Sequence, residues 1–299
     1  MDHYGKYKKY KAKYLRLKTE GMVPNLSLRR DHGTDGAFSA WRRGLNVDTV
    51  AFCLKFEKDN HILYYIGAQH TTDPTSDTFG YIETVVRKLC PETDIVLLEG
   101  IPRKMGISPP LSHFHGEGKF ASDLARQRGI PYSGIEADED DLLRSLAETY
   151  DPDDICGFLY LRMHKYFYRT LRKTRAEFVK DFAEYEAPTL ARTLGASCDP
   201  TEWFRRTFGK EFRYGRYLEY ASPSRDSKII TQRISFDYGE LRDGQNLKTL
   251  YYFLSHYRTV LYIMGMNHVY ADLPVLVDTF GGYRVVASDG SSRDAELTM

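Results

Sequence analysis

Ile62-Leu63-Tyr64-Tyr65-Ile66-Gly67-Ala68-Gln69-His70 runs a stretch of apolar β-formers directly into Gly-x-x-His. Nearly 200 residues later the chain repeats the device, with Val260-Leu261-Tyr262-Ile263-Met264 leading into Gly265-Met266-Asn267-His268. Each copy precedes a stretch that reads as a helix. Glycine lets a backbone turn sharply as it leaves a sheet. The histidine that follows then stands in the crevice beyond the strand ends, where open α/β sheets bind their ligands. Two such junctions in one chain imply a fold that brings a pair of imidazoles together.

Working outward, Val50 to Phe56 alternates in polarity, and Lys58-Asp59-Asn60 is a turn signal before the first motif's strand, so a hairpin is expected. Phe79, Ile82, Val85, Val86 and Leu89 have helical spacing, and Pro91 stops them. Ile95-Val96-Leu97-Leu98 is a continuous apolar run, as in a strand buried on both faces, and it ends in Glu99-Gly100. A helix over Phe120 to Arg128 closes at Gly129, and a short strand over Ile130 to Ile135 ends in Glu136. This βαβαβ rhythm predicts an α/β fold: a central, largely parallel or mixed sheet with flanking helices. A helical middle insertion is expected over about 138–218. Helices over Arg225–Phe236 and Leu247–His256, a strand over Val260–Met264, a helix over Val269–Phe280 and a strand over Tyr283–Ala287 complete the domain, 50–287. Residues 288–299 read as a polar tail.

His70, Glu99, Glu136 and His268 thus stand just past the ends of four predicted strands. If those strands run parallel, their carboxyl ends share one edge and the four side chains converge. Two neutral imidazoles with one or two carboxylates suit a divalent metal such as Zn, Mn, Co or Fe. Such an ion would activate water toward an amide or ester carbonyl, and a free carboxylate could take the proton. Without metal, a histidine oriented by Glu could still act as a base. Simpler readings stand beside these. Glu99 could form a salt bridge, because a lone buried carboxylate is costly. Glu136 opens an acidic run that could serve a helix N-terminus. Arg225-Asp226 could cap a helix, or Arg225 could hold an anion or oxyanion in the crevice. His113 and His115 alternate in a Pro/Gly-rich loop, and exposure is the simpler account of them.

The formal net charge is +1, which gives no general reason to expect nucleic acid as a partner. Cys53, Cys90, Cys156 and Cys198 are scattered without CxxC spacing, so reduced thiols are expected. No apolar run is long enough to span a membrane, and the N-terminus lacks a signal-peptide core. Residues 1–18 differ from the rest: Tyr4, Tyr7, Tyr10, Tyr14 and Leu17 recur at helical spacing between Lys6, Lys8, Lys9, Lys11, Lys13, Arg16 and Lys18. This basic arm could pack on the body or on a second copy, remain solvated, or meet an anionic surface or partner, a membrane or nucleic acid among them. Residues 19–49 read as a linker. The arm resembles the Lys/Tyr-rich openings of proteins from giant DNA viruses of the mimivirus type, and that likeness implies host cytoplasm, viral factory or virion as its location.

The motifs taken together resemble the TraB/TIKI metalloprotease-like superfamily, which is related to erythromycin-esterase-like and haem-binding ChaN-like proteins. The likeness rests on the two Gly-x-x-His motifs, on Asp94 to Glu99 matching "D-x-V-x-x-E", and on Arg225-Asp226 before the second motif. It spans about Ala51 to Ala287. It implies an α/β fold and a metal-dependent peptidase with His70, His268 and Glu99 as ligands; together with the strand-end convergence this gives the reading of a metal-dependent hydrolase of peptide or small ester bonds, with Glu136 and Arg225 in support. A metal-independent esterase-like hydrolase and a non-catalytic haem- or partner-binding protein are the alternatives. Ala68-Gln69 departs from the esterase and haem-binding branches, which tend to have Glu inside the first motif.

Overall fold

The structure is a computed structural model that describes residues 50–71, 73, 75–89, 92–102, 116–166, 174–197, 199–209, 218–286 and 292–294. The basic arm, the linker and the His113/His115 loop lie outside these residues. The chain divides into two compact units, one made of residues 1–136 with 243–299, the other Ala137–Arg242.

The first unit is built on a seven-stranded sheet in the order β4-β3-β5-β2-β1-β6-β7. Strands β1 (Ala51–Lys58) and β2 (His61–Ala68) form the expected antiparallel hairpin. Its turn places Asp59 and Asn60 at φ 49° and 65°. Two successive left-handed residues give the turn whose twist matches that of its strands, and Asp and Asn tolerate it best after glycine. Strands β3 (Ile95–Pro102), β4 (Tyr132–Glu136) and β5 (Thr259–Gly265) follow. β2 pairs parallel with β5, β5 with β3, and β3 with β4. The four strands that end toward His70, His268, Glu99 and Glu136 are therefore adjacent and share one carboxyl edge. The sheet is mixed, because β1, β6 (Arg284–Val286) and β7 (Ser292–Asp294) join antiparallel. β7 lies in the segment expected to be only a polar tail. Edge pairing with β6 gives that segment its backbone partners despite its polar side chains.

Alternation sorts the strand residues onto two faces. Leu63, Tyr65, Leu97, Val260, Tyr262 and Met264 join one core with helix α10 (Met266–Phe280) and the C-terminal part of α9 (Ile230–Leu254). Tyr64, Ile66, Val96, Leu98, Leu261 and Ile263 join the other, under α1 (Asp77–Leu89) and α2 (Glu117–Gln127). Every residue of β5 is buried, as expected of a central strand covered on both sides. Asp94 holds the entry of this strand: its carboxylate accepts Thr259 N–H at 2.7 Å.

α9 corrects one expectation. Arg225-Asp226 is a turn outside any helix, and a single helix runs from Ile230 to Leu254 where two were expected. The helix carries Gly239 and Gly244 in its interior, but a helical glycine costs only about 1 kcal/mol, which the buried residues on either side outweigh.

The second unit is helical: α3 (Glu139–Ala147), α4 (Pro152–Tyr166), α5 (Arg175–Asp181) with a π turn at Phe182–Glu186, α6 (Ala187–Leu194), α7 (Pro200–Phe208), α8 (Leu218–Ala221) and the start of α9. Its own core gathers Leu143, Ile155, Phe158, Tyr160, Phe178, Trp203 and Ile234. Gly157 is required there, because a Cβ would stand 2.3 Å from the Trp203 ring. Cys156 is disulfide-bonded, which overturns the expectation of four reduced thiols; Cys53 is free and buried. Pairing depends on two Cβ atoms meeting in the fold and needs no CxxC spacing. Among the described residues no helix is long and apolar enough to cross a membrane.

Candidate active site

The two motif glycines have different tasks. A Cβ on Gly67 would lie 2.6 Å from Phe52 Cζ and 2.9 Å from Val269 Cγ2, so its bareness serves core packing. A Cβ on Gly265 would lie 2.6 Å from His70 Nε2 and 3.3 Å from Glu99 Oε2. The second motif's glycine thus leaves room for the first motif's histidine. The two strands are neighbours, and the Ala68↔Gly265 register sets this approach.

Glu99 stands between the two histidines. Its Oε1 is 3.4 Å from His268 Nε2, and its Oε2 is 3.9 Å from His70 Nε2. Gly265 N–H donates to Oε2 at 2.5 Å and orients the carboxylate. Each ring is held from behind by a second acid. His70 Nδ1 hydrogen-bonds Glu117 Oε1, and Glu117 Oε2 also accepts Thr71 N–H at 3.4 Å. His268 Nδ1 meets Asp243 Oδ1 at 2.8 Å, and Asp243 is fully buried. The result is a row in which carboxylate and imidazole alternate: Glu117, His70, Glu99, His268, Asp243. The row is sheltered at one end and open at the other, since the His268 side chain is 18% exposed and that of His70 63%.

Magnitudes separate the outer contacts from the inner ones. An imidazolium bonded directly to a carboxylate closes to about 2.7–2.9 Å. The contact to Asp243 is of that kind, whereas those to Glu99, at 3.4 and 3.9 Å, are not. If each Nδ1–H is given to its outer carboxylate, both Nε2 lone pairs face an anion, and a shared cation makes that arrangement favourable. Donors around a tetrahedral ion stand about 3.3–3.6 Å apart, given ligand distances of about 2.0–2.2 Å. Two imidazole nitrogens and a carboxylate therefore fit a divalent metal in donor type, and the carboxylate behind each ring is the usual outer support of a metal-binding histidine. Among the described residues, no group of three or more His, Cys, Asp or Glu side chains is placed so that it could hold a metal ion.

His70, Glu99 and His268 are brought together. Glu136 lies at the same edge, where its carboxylate accepts Gly100 N–H at 3.1 Å and braces the backbone just after Glu99. Gly100 has φ 73°, a left-handed turn that glycine adopts without strain. Arg225 belongs to the helical unit; its exposed guanidinium binds Glu240 at 3.0 Å and lies over the Phe236 ring at 4.8 Å.

Sequence reasoning missed Glu117 and Asp243. Glu117 follows Gly116 at a helix start, where an acid needs no explanation beyond the dipole. Asp243 sits mid-helix in a polar stretch, Glu240-Leu241-Arg242-Asp243-Gly244, that reads as a solvated face. Only burial sets it apart.

Comparison with protein-family models, with curated proteins and with solved structures finds no match. The functional reading therefore rests on geometry and chemistry.

Proposed function

We propose that this protein is a metal-dependent hydrolase of peptide or small ester bonds, with His70, His268 and Glu99 as the metal ligands. The observation that carries the reading is the unequal spacing along the row: outer pairs in hydrogen-bond contact, inner pairs held apart at 3.4 and 3.9 Å around one carboxylate. A divalent ion, when bound, supplies Lewis acidity and makes water nucleophilic near neutral pH. Glu117 and Asp243 fix both rings in the tautomer that offers Nε2. Gly265 N–H holds Glu99 so that Oε1 stays toward His268. The exposed side of His70 is where substrate enters. Glu136 keeps the Glu99–Gly100 turn in place.

Metal content of the purified chain tests the assignment, with His70→Ala and His268→Ala alongside. One equivalent of bound metal in the parent chain and its loss from both variants is the expected result; full occupancy in either variant contradicts it. A second reading follows from the same row, because a carboxylate-oriented imidazole can activate water by itself. Hydrolysis that survives a strong chelator at full rate would favour that reading.

A further inference from the structure

Beneath the proposed site, α9 and α10 enclose a second set of polar side chains. Two contacts pin the helices together: Asp243 to His268, and further along Tyr251 to Thr279, whose hydroxyls meet at 2.6 Å. Both pins advance in the same chain direction, so the helices lie side by side and parallel. Asn246 is one turn past Asp243, and Asp272 is one turn past His268. The two residues therefore stand level with each other between the pins. Both are fully buried. The sheet closes the third side, where Tyr65 donates its hydroxyl to Asp272 Oδ2 at 2.7 Å and stacks on Tyr262 with ring centroids 4.5 Å apart. Leu247, Leu250, Leu273 and Leu276 of the same two helices belong to the buried apolar core.

Asn246 is the anomaly. Neither its Oδ1 nor its Nδ2 reaches a hydrogen-bond partner among the described residues. Leaving an amide head unpaired in an apolar interior is costly, because its hydration is lost with nothing in return. An amide needs one neighbour that gives a proton and one that accepts it. A cation satisfies only the oxygen, and an apolar filler satisfies neither, whereas water does both. Enclosed water sites are polar and offer each molecule about three partners. Burial and the nearby Asp272 carboxylate push the Tyr65 phenol well above its usual pKa, so it remains a neutral donor on the wall of this layer.

We infer that the α9–α10 seam holds an ordered internal water site, in which one molecule accepts from Asn246 Nδ2, another donates to Asn246 Oδ1, and the pair links Asn246 to the Asp272–Tyr65 couple. The site ties the helix that carries Asp243 to the helix that carries His268, and it stands whether or not the residues above it hydrolyse anything.

A crystal structure of the full chain, with a rubidium-soaked crystal and the thermal stability of Asn246→Leu, tests this. The expected result is ordered density at about 2.7–3.2 Å from both amide atoms, no rubidium signal there, and a melting temperature lowered by a few degrees in Asn246→Leu. A leucine fills the same volume, so a dry seam would instead gain stability when the unpaired amide is removed. A raised melting temperature, a dry seam, or a rubidium peak beside Oδ1 would each overturn the inference. If Asn246→Leu does not fold, Asn246→Ser decides it: an extra water in the enlarged space supports the site, and an empty cavity refutes it.

Discussion

A Cβ placed on Gly265 would come within 2.6 Å of Nε2 of His70, so one motif's glycine is the seat of the other motif's histidine. Gly265→Ala should push the His70 ring out of line while leaving the core intact, because the ring is largely exposed and can yield toward solvent. Misplacement by about 1 Å costs on the order of 100-fold in rate. We expect metal affinity and activity to collapse with little change in melting temperature. Gly67→Ala should do the reverse, since its Cβ meets Phe52 and Val269 in the core. Overpacking there should cost about 1–3 kcal/mol. Metal titration and thermal melts on the two variants check this exchange of phenotypes.

Asp243→Asn and Glu117→Gln address the hold on each ring. An amide can give a proton to Nδ1 where the carboxylate could only accept one. The ring then carries its proton on Nε2 and loses its lone pair toward Glu99. Metal affinity should fall by about 10–100-fold in either variant. Imidazole nitrogen shifts in NMR should report the tautomer change at the affected histidine alone.

Glu186, in the π turn of the helical unit, should make stability depend on pH. Burial foremost, then the Glu139 carboxylate, push its pKa from 4.5 up to about 7, against the opposing pull of Arg162. A raised carboxyl pKa means that the folded chain holds the proton more tightly than the unfolded one. The stabilisation is complete below about pH 4.5 and is lost as pH rises through 7. Glu186→Gln stays neutral throughout. Its melting temperature relative to the parent chain should therefore climb between pH 5 and pH 8, as melts across that range will show.

Cys156 should resist alkylation when the chain is denatured without reductant, and react once reductant is added, whereas Cys53 should react on denaturation alone. Peptide mass analysis reads both. Reduction should also lower the melting temperature, because the cross-link no longer restricts the unfolded chain.

The sequence alone determined the elements that carry the site. Alternation and apolar runs marked β1 to β5, Asp59-Asn60 marked the hairpin turn, and the repeated Gly-x-x-His with Glu99-Gly100 marked the ends at which chemistry gathers. These are local signals, written within a few residues of where they act. Tertiary structure decided the rest. It chose the order β4-β3-β5-β2, which gathers Glu99, His268 and His70 at one edge of the sheet. It brought Glu117 to His70 across 47 residues and turned Asp243 inward to His268 across 25. It fused two expected helices into α9 and closed a disulfide on Cys156. An acid on a helix looks the same in sequence whether water or an imidazole stands beside it; burial distinguishes the two, and burial belongs to the folded chain.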